Sequence, residues 1–438
     1  MKIQGKIMSL MLTTLLTVSM TACSSGTAAN SGDGEKKASA AGEDKPHITI
    51  GSYIDPANQE DPSNAKWMEF YEHLTEQTGV EIEIQTIPWD QIESKMVVTN
   101  MAGSPSADMY MISSQKLASV VNAGAALPLD DYIDENLDRS QYMDVVFTDG
   151  TFIGDGKVYC MPVSIHSRGL WYNKELMPNA PTTRDELLEY AIAATDEANK
   201  VYGFGFYGPN DYGSMEVSVA PFIWDAGGTL CDEEGKATWA TDETADAIQF
   251  LSDCVNVHKV SPQTCLTSTQ YADIQDMFTS GHLAAYIDGT YADNALKESQ
   301  LYKDGKIGFV PLPGKKGPAP NFSNGWSFSI ASNSPNADAC WKVIEAIQQP
   351  ENQTMHAAFD GGLPTTLESY DDPMFSTPMY KAFKENMDYA RGMDPFLHYQ
   401  EGLEAISNVK SSYFMDPTQD LTKLLEDAQE QFNKKFYD

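Results

Sequence analysis

No feature narrows the possible folds more than the stretch from His47 to Asp90, which alternates, turns helical and alternates again. In "HITIGSY", Ile48 and Ile50 alternate with polar residues, as on a strand with one buried face. "NAKWMEFYEHLTEQTG" then sets Trp67, Phe70, Tyr71 and Leu74 at helical spacing and stops on Gly79, a residue that readily closes a helix. In "VEIEIQTIPWD", Val80, Ile82 and Ile84 share one face and Glu81 and Glu83 the other. Two strands joined by a crossover helix lie parallel in one sheet, so an α/β fold is expected. "QIESKMVVTNMAG" supplies another helix and "ADMYMISS" the next strand.

The theme continues downstream. "TTRDELLEYAIAATDEAN" and "TDETADAIQFLSDCVNVHK" are amphipathic and open on capping residues. "HLAAYIDG" and "IGFVPLPG" are strand-like, and "WSFSIAS" puts Trp326, Phe328 and Ile330 on one face with Ser327 and Ser329 on the other. "NADACWKVIEAIQQP" is a helix stopped by Pro350. The last helix is expected to start with Asp416 as cap, Pro417 in its first turn and Gln419 completing a capping box, with Leu421, Leu424, Leu425, Ala428 and Phe432 on one face. No internal repeat is visible.

At the N-terminus, Lys2 and Lys6 precede an apolar run from Ile7 to Met20 that is too short to span a bilayer comfortably. Met20-Thr21-Ala22-Cys23 is similar to the bacterial lipobox, although Met20 stands where Leu is usual. That likeness implies a lipoprotein signal over residues 1–22 and a diacylglycerol on Cys23; an ordinary cleaved signal is the alternative. Residues 23–46 are Ser, Gly, Ala and charge, which cannot bury enough surface to fold and read as a flexible leash. The cargo of roughly 390 residues is too long for one compact core and suits two lobes.

Against 29 Lys and Arg stand 63 Asp and Glu, a net charge of −34, which argues against nucleic acid or an anionic membrane face as partner. Beyond Cys23, Cys160, Cys231, Cys254, Cys265 and Cys340 are odd in number and irregularly spaced; they suggest neither a disulfide framework nor a zinc site, although a Cys254–Cys265 bridge stays open. "GFGFYG", Gly203 to Gly208, matches a dinucleotide pattern, but Pro209 to Gly213 reads as loop where that motif needs a helix. No P-loop, G-x-S-x-G or H-E-x-x-H occurs, and the seven histidines are scattered. Asp130, Asp131, Asp134, Glu135 and Asp138 lack calcium-loop spacing and read as a solvated helix face. Neither a cofactor nor a metal is expected, and nothing points to an enzyme.

What stands out is aromatic residues beside turns at strand ends: Tyr53, Trp89, Trp171, Tyr172, Tyr207, Tyr212, Trp224, Tyr291 and Trp326. Ligands of open α/β sheets sit beyond the carboxyl ends of the strands. Flat rings among Asp, Asn, Ser, Arg and His suit a sugar, whose C–H faces stack while its hydroxyls donate and accept.

Four stretches carry a wider likeness: "PSADMYMIS" followed by "GAALPLDDYI", "GKVYCMPVSIHSRGLWYNKELM", "MFTSGHLAAYIDGTYADNAL", and "IGFVPLPGKKG" followed by "NGWSFSIASNSPNADACWKVIEAI". In order and spacing they resemble the extracellular solute-binding proteins of ABC sugar importers, the maltose-binding-protein-like family, over nearly all of residues 47–438. Tyr291 stands where that family commonly has Trp. The resemblance implies a type II periplasmic-binding-protein-like fold with its ligand cleft between two lobes, 47–162 plus 311–358 and 163–310 plus 359–438. Crossovers would lie near Met161–Val163, Val310–Pro311 and Ala358–Gly362.

By matching segments, the first lobe would offer Tyr53, Asp55, Trp89, Asp90, Ser113, Ser114 and Gln115 to the ligand. The second would offer His166, Ser167, Arg168, Asp288 and Tyr291, with Asn324, Trp326, Gly361 and Gly362 at the mouth. Trp89, Tyr291 and Trp326 would stack; Asp90, Asp288 and Arg168 would meet hydroxyls, with a salt bridge across the hinge as the other reading of Arg168. The implied role is a monomeric, lipid-anchored receptor on the outer face of a Gram-positive cytoplasmic membrane. It would trap a mono- or oligosaccharide by hinge closure and hand it to an ABC permease. A receptor for another solute or for a sensor kinase, or a surface glycosidase, are the alternatives.

Overall fold

The computed structural model describes residues 45–438, apart from 153, 395 and the side chain of 144. The signal-like segment, Cys23 and the leash as far as Asp44 lie outside the described residues. Strands are numbered along the chain: β1 (His47–Ser52), β2 (Glu81–Thr86), β3 (Met109–Ser113), β4 (Thr151–Phe152), β5 (Lys157–Val158) and β6 (Met161–Pro162). There follow β7 (His166–Asn173), β8 (Ala285–Gly289), β9 (Ile307–Val310), β10 (Asn321–Asn324), β11 (Trp326–Ile330) and β12 (Ala390–Arg391).

The first sheet has the order β2-β1-β3-β11-β6. As the strand–helix–strand pattern requires, β1 runs parallel to β2 and β3, with Ile48 opposite Ile82 and Ile50 opposite Ile84. Helix Pro62–Thr78 buries Trp67, Phe70, Tyr71 and Leu74 and ends on Gly79 in the left-handed region. It packs with helix Ala337–Ile347 over Ile48, Ile50, Met109, Met111, Phe328 and Ile330. Tyr110, Ile112, Ile92, Met96, Leu117 and Val120 form a second core. Both faces of β11 are therefore buried, contrary to a simple polar–apolar alternation, and Ser329 Oγ satisfies itself on the Tyr159 carbonyl at 2.9 Å.

The second sheet does not repeat the parallel theme. Its order is β12-β10-β7-β8, and β7 meets β8, β9 and β10 antiparallel. One edge of β7 is divided: His166 and Ser167 pair with β10, and Leu170 to Asn173 with β9. The "GFGFYG" segment lies beside β8 through parallel bridges Tyr202–Leu283 and Gly205–Tyr286. Contrary to the loop reading, helical chain resumes at Tyr212, but Asp211 caps it by accepting from the Ser214 amide at 2.8 Å. That helix start is thus occupied by the chain's own carboxylate.

The chain passes between sheets three times: at 163–165, at Gly325, and at 361–363. Val163 N donates to Trp326 O at 2.9 Å, and Ile165 and Leu363 exchange bonds of 3.0 and 2.8 Å. A Cβ on Gly325 would lie 1.9 Å from the Ser164 carbonyl oxygen, so only glycine lets these passes touch. The second pass is therefore at Gly325 and not at Val310–Pro311. The edge of β7 beside His166 and Ser167 is left vacant by β9 and filled by β10, so residues 321–324, expected with the first lobe, join the second sheet.

Two helix starts also shift. The last helix, Leu421–Phe436, is capped by Asp420, whereas Asp416 closes a turn with Thr418 N at 3.2 Å. Pro350 opens a further helix, Pro350–Asp360, which ends at Gly361 with φ 76°. The acidic residues from Asp130 begin helix Asp130–Asn136, and Arg139 reaches Asp134 at 3.2 Å. Cys160, Cys231, Cys254, Cys265 and Cys340 are buried free thiols, so Cys254 and Cys265 are not bridged. Among the described residues no helix is long and apolar enough to cross a membrane.

Candidate functional site

The carboxyl ends of three parallel strands and the start of one antiparallel strand share an edge of the first sheet. Tyr53 follows β1, Trp89 follows β2, and Ser113 ends β3 opposite Trp326, which begins β11. The facing edge of the second sheet carries His166 and Arg168 at the start of β7. Asn324 is paired with His166, and Tyr291 sits in the turn after β8. Between these edges lies a cavity of about 240 Å³. Trp89, Ser113, Gln115, His166, Arg168, Tyr291, Asn324 and Trp326 line it, all of them among the expected residues.

Lys116, Tyr212, Glu216, Gly325, Asp360 and Tyr399 line it too, and the sequence reading did not select them for the site. Tyr212 stood out only as an aromatic near a turn. Glu216 lies in a π-helical turn, Met215–Val219, Asp360 ends a helix, and Tyr399 begins one. Period and composition flag none of these as cleft positions. Lys116 follows the expected Gln115 directly, and Gly325 lies between the expected Asn324 and Trp326.

The other expected residues stand elsewhere. Tyr53 lies behind Trp326, ring centroids 4.9 Å apart, and supports it. Asp55 turns back on its own chain, accepting from Ala57 N at 2.9 Å, and Asp90 is exposed outside the cavity. Ser114 faces an adjoining cavity of about 360 Å³. Asp288 is buried and accepts from Gly289 N at 2.8 Å. Gly361 and Gly362 sit behind the wall: a Cβ on Gly362 would meet His166 Cε1 at 2.9 Å, so this glycine makes room for the imidazole.

Electrostatics divide the site. On the second-sheet side, Arg168 is 6% exposed, donates through Nη1 to Asn324, and lies 5.4 Å from the Tyr291 ring and 4.9 Å from that of Phe322. Its Nε is buried without a hydrogen-bond partner. Burial pushes the Glu216 carboxyl up to about 7, against the Tyr399 hydroxyl that donates to it and the charges of Arg168 and Lys116. Burial likewise lifts Asp288 to about 6, opposed by bonds from Tyr291 and Gly289 and by the Arg168 charge.

Asp360 meets His166 Nε2 at 2.7 Å and Ser164 Oγ at 2.8 Å. Burial alone would raise this carboxyl; the imidazole of His166 and these bonds outweigh it and hold it well below the usual range. On the first-sheet side, Lys116 reaches Glu93 at 3.3 Å and hangs 5.9 Å from the rings of both Trp89 and Tyr212. Such a site offers flat apolar faces, charged donors and charged acceptors at close quarters. It can grip a neutral polyhydroxylated molecule.

Known proteins share this fold. The model of the bacterial extracellular solute-binding protein family matches residues 57–354. A putative binding protein of Brucella abortus is 24% identical over 349 residues, covering 78% of this chain and 82% of its own. An arabinooligosaccharide-binding protein of Halalkalibacterium halodurans is 22% identical over 321 residues, 70% of each chain. Among solved structures, an ABC transporter solute-binding protein of Thermotoga lettingae bound with alpha-D-tagatose has a TM-score of 0.76 at 22% identity, over 89% of this chain and 99% of that one. Maltose-bound T. maritima MalE3 gives 0.76 at 22% identity, over 89% and 100%. The shared fold is the α/β, two-lobe architecture of periplasmic sugar-binding proteins. With the family model running from the helix after β1 through the return pass at Gly325 and along most of the cavity wall, this chain belongs to the bacterial extracellular solute-binding protein family.

Proposed function

We propose that this protein captures an extracellular carbohydrate between its two sheet-bearing halves and delivers it to an ABC permease, without chemical change. The observation that carries the reading is the cavity between the sheet edges, where the rings of Trp89, Tyr212, Tyr291 and Trp326 alternate with Arg168, Asn324, Glu216 and Asp360. Rings supply faces for C–H surfaces, and the charged groups supply strong hydrogen bonds to hydroxyls. The unpartnered Nε of Arg168 is a buried donor that a ligand oxygen would satisfy. The arabinooligosaccharide, tagatose and maltose named for its relatives support the same class.

Since the wall draws on both sheets, only a shut form presents the whole site, and ligand would shift the hinge toward that form. The lobes would then be 47–162 with 326–360, and 163–324 with 361–438, a division moved from 311 to Gly325. An acylated Cys23 and the 23–46 leash would hold a monomeric receptor on the outer face of a Gram-positive cytoplasmic membrane, beside its permease. The test is a thermal-shift screen against mono- and oligosaccharides, in which a tight ligand raises Tm by mass action. If no saccharide raises Tm while amino acids, peptides or metal chelates do, the carbohydrate reading is abandoned.

A further inference from the structure

Tyr212 reaches the cavity from a piece of chain with little regular structure of its own. Pro209 to Asp211 is loop, the helical start Tyr212–Ser214 spans three residues, and the rare π-helical geometry of Met215–Val219 follows at once. The ring matters to both halves. It lines the cavity from the second-sheet side and lies 5.9 Å from Lys116 Nζ on the first-sheet side. What keeps it there comes from a distant element, helix Tyr399–Met415.

Lys410 on that helix is fully buried, and its Nζ donates to the Pro209 carbonyl at 2.6 Å and to Ser214 Oγ. Ser214 Oγ in turn donates to Asp211 O at 2.8 Å, and Asp211 N to Pro209 O at 2.9 Å, so the turn closes on the lysine at its entry and its exit. About three turns earlier on the same helix face, the Tyr399 hydroxyl donates to Glu216. One helix thus grips the wall segment before and after Tyr212. Among the described residues the Lys410 ammonium forms no ion pair; burial pulls it down to about 7, and the Asp211 charge only partly opposes this. A cation buried without a carboxylate partner costs the fold stability, and an apolar chain of like length would pack there at less cost. Stability therefore does not account for a lysine at 410; the two ends of the turn that it joins do.

We propose that Lys410, although it lies outside the cavity, is a positioning residue of the ligand site: by tying Pro209 to Ser214 it fixes the turn that sets the Tyr212 ring in the wall. This rests on the reading of that cavity as a saccharide site. With the turn fixed, the ring is already in place when ligand arrives, and little freedom is lost on binding. Without the lysine the turn opens locally, and the ring must be ordered by the ligand itself.

The test compares the whole mature protein with Lys410→Met, Tyr212→Ala and the double variant, by amide hydrogen exchange without ligand and by calorimetric titration with maltose, xylobiose and arabinobiose. In Lys410→Met the amides of residues 211–219 should exchange at least about ten-fold faster, with those of β7 and β8 unchanged. For any of the three sugars that binds, Lys410→Met should weaken affinity about three- to ten-fold, and by under about two-fold once Tyr212 is already alanine, since no ring is left to place. Unchanged exchange at 211–219, or an equal loss of affinity in both backgrounds, makes Lys410 a merely structural residue and overturns the proposal. Should Lys410→Met fail to fold, Ser214→Ala takes one acceptor from the lysine and should show the same pattern more weakly; unchanged exchange there overturns the proposal as well. If none of the sugars binds the unaltered protein, the carbohydrate reading fails by itself, and the exchange rates alone decide whether Lys410 holds the turn.

Discussion

The two sides of the cleft are built differently. The second-sheet side holds its groups by burial and mutual contact, Arg168 on Asn324 and Tyr399 on Glu216, while His166 is held from the other half by Asp360 at the end of helix Pro350–Asp360. On the first-sheet side Trp89 is 56% exposed and Asp90 is exposed, while Trp326 is backed by Tyr53 and Lys116 by the buried Glu93. The difference teaches which side is already shaped for a ligand and which must be brought to it. A preorganised wall loses little freedom on binding, whereas an exposed ring is ordered at that moment and gives back part of its stacking energy.

Four substitutions can break or sharpen this contrast. Arg168→Ala removes a buried cation from between Asn324, Glu216 and Asp288, and should lower stability by about 3–5 kcal/mol, read as a fall in denaturant midpoint. A loss under about 1 kcal/mol would mean the second-sheet side is no more tightly built than the first. Glu216→Gln acts in the opposite direction. The carboxyl binds its proton more tightly folded than unfolded, so the native protein loses stability as pH rises from the ordinary carboxylate range to about 7. The variant should therefore be more stable by about 2–3 kcal/mol at pH 8 and no different near pH 4. Urea melts at the two pH values measure it, and a pH-independent difference would reject the burial assigned to Glu216.

Trp326→Ala should weaken saccharide binding by about 1–3 kcal/mol. Because the ring also packs on Tyr53 and beside two cores, Tm should fall as well. Trp89→Ala should weaken binding by about 1 kcal/mol and leave Tm where it was, as an exposed ring supports nothing in the free protein. Titration and a thermal melt on the same samples separate the two. If Trp89→Ala costs as much as Trp326→Ala in both, the two sides are equivalent.

Much of this was legible in the chain. The βαβ start announces itself because Ile48, Ile50 and the run Val80 to Ile84 alternate at period two around a helix that closes on Gly79. Trp89, Tyr291 and Trp326 stand out as aromatics with polar neighbours beside turns at strand ends, whereas Arg168 came only from the segment that resembles the family's crossover. The antiparallel second sheet was not legible. Its strands are short and buried on both faces, and a buried run does not say in which direction its partner runs. The pass at Val310–Pro311 was implied only by the likeness of the segment from Ile307 to the family's return crossover, not by any property of its own residues. Which edge β10 would fill depends on where β9 stops along β7, a fact of space rather than of order. Glu216 and Tyr399 were missed for a related reason: an acid within "SMEVSV" and a tyrosine at a helix start are ordinary until two distant segments are folded against each other.

Consider finally the three passes laid side by side, with Gly325 pressed on the Ser164 carbonyl and Ile165 laced to Leu363. Straps fastened along a common seam resist shear and torsion far better than they resist flexing. The halves are thus left one inexpensive way to move, like the boards of a book about its spine. Any side chain added at Gly325 would wedge that spine, and the molecule would be fixed at whatever opening the wedge allows, however well its walls suit their guest.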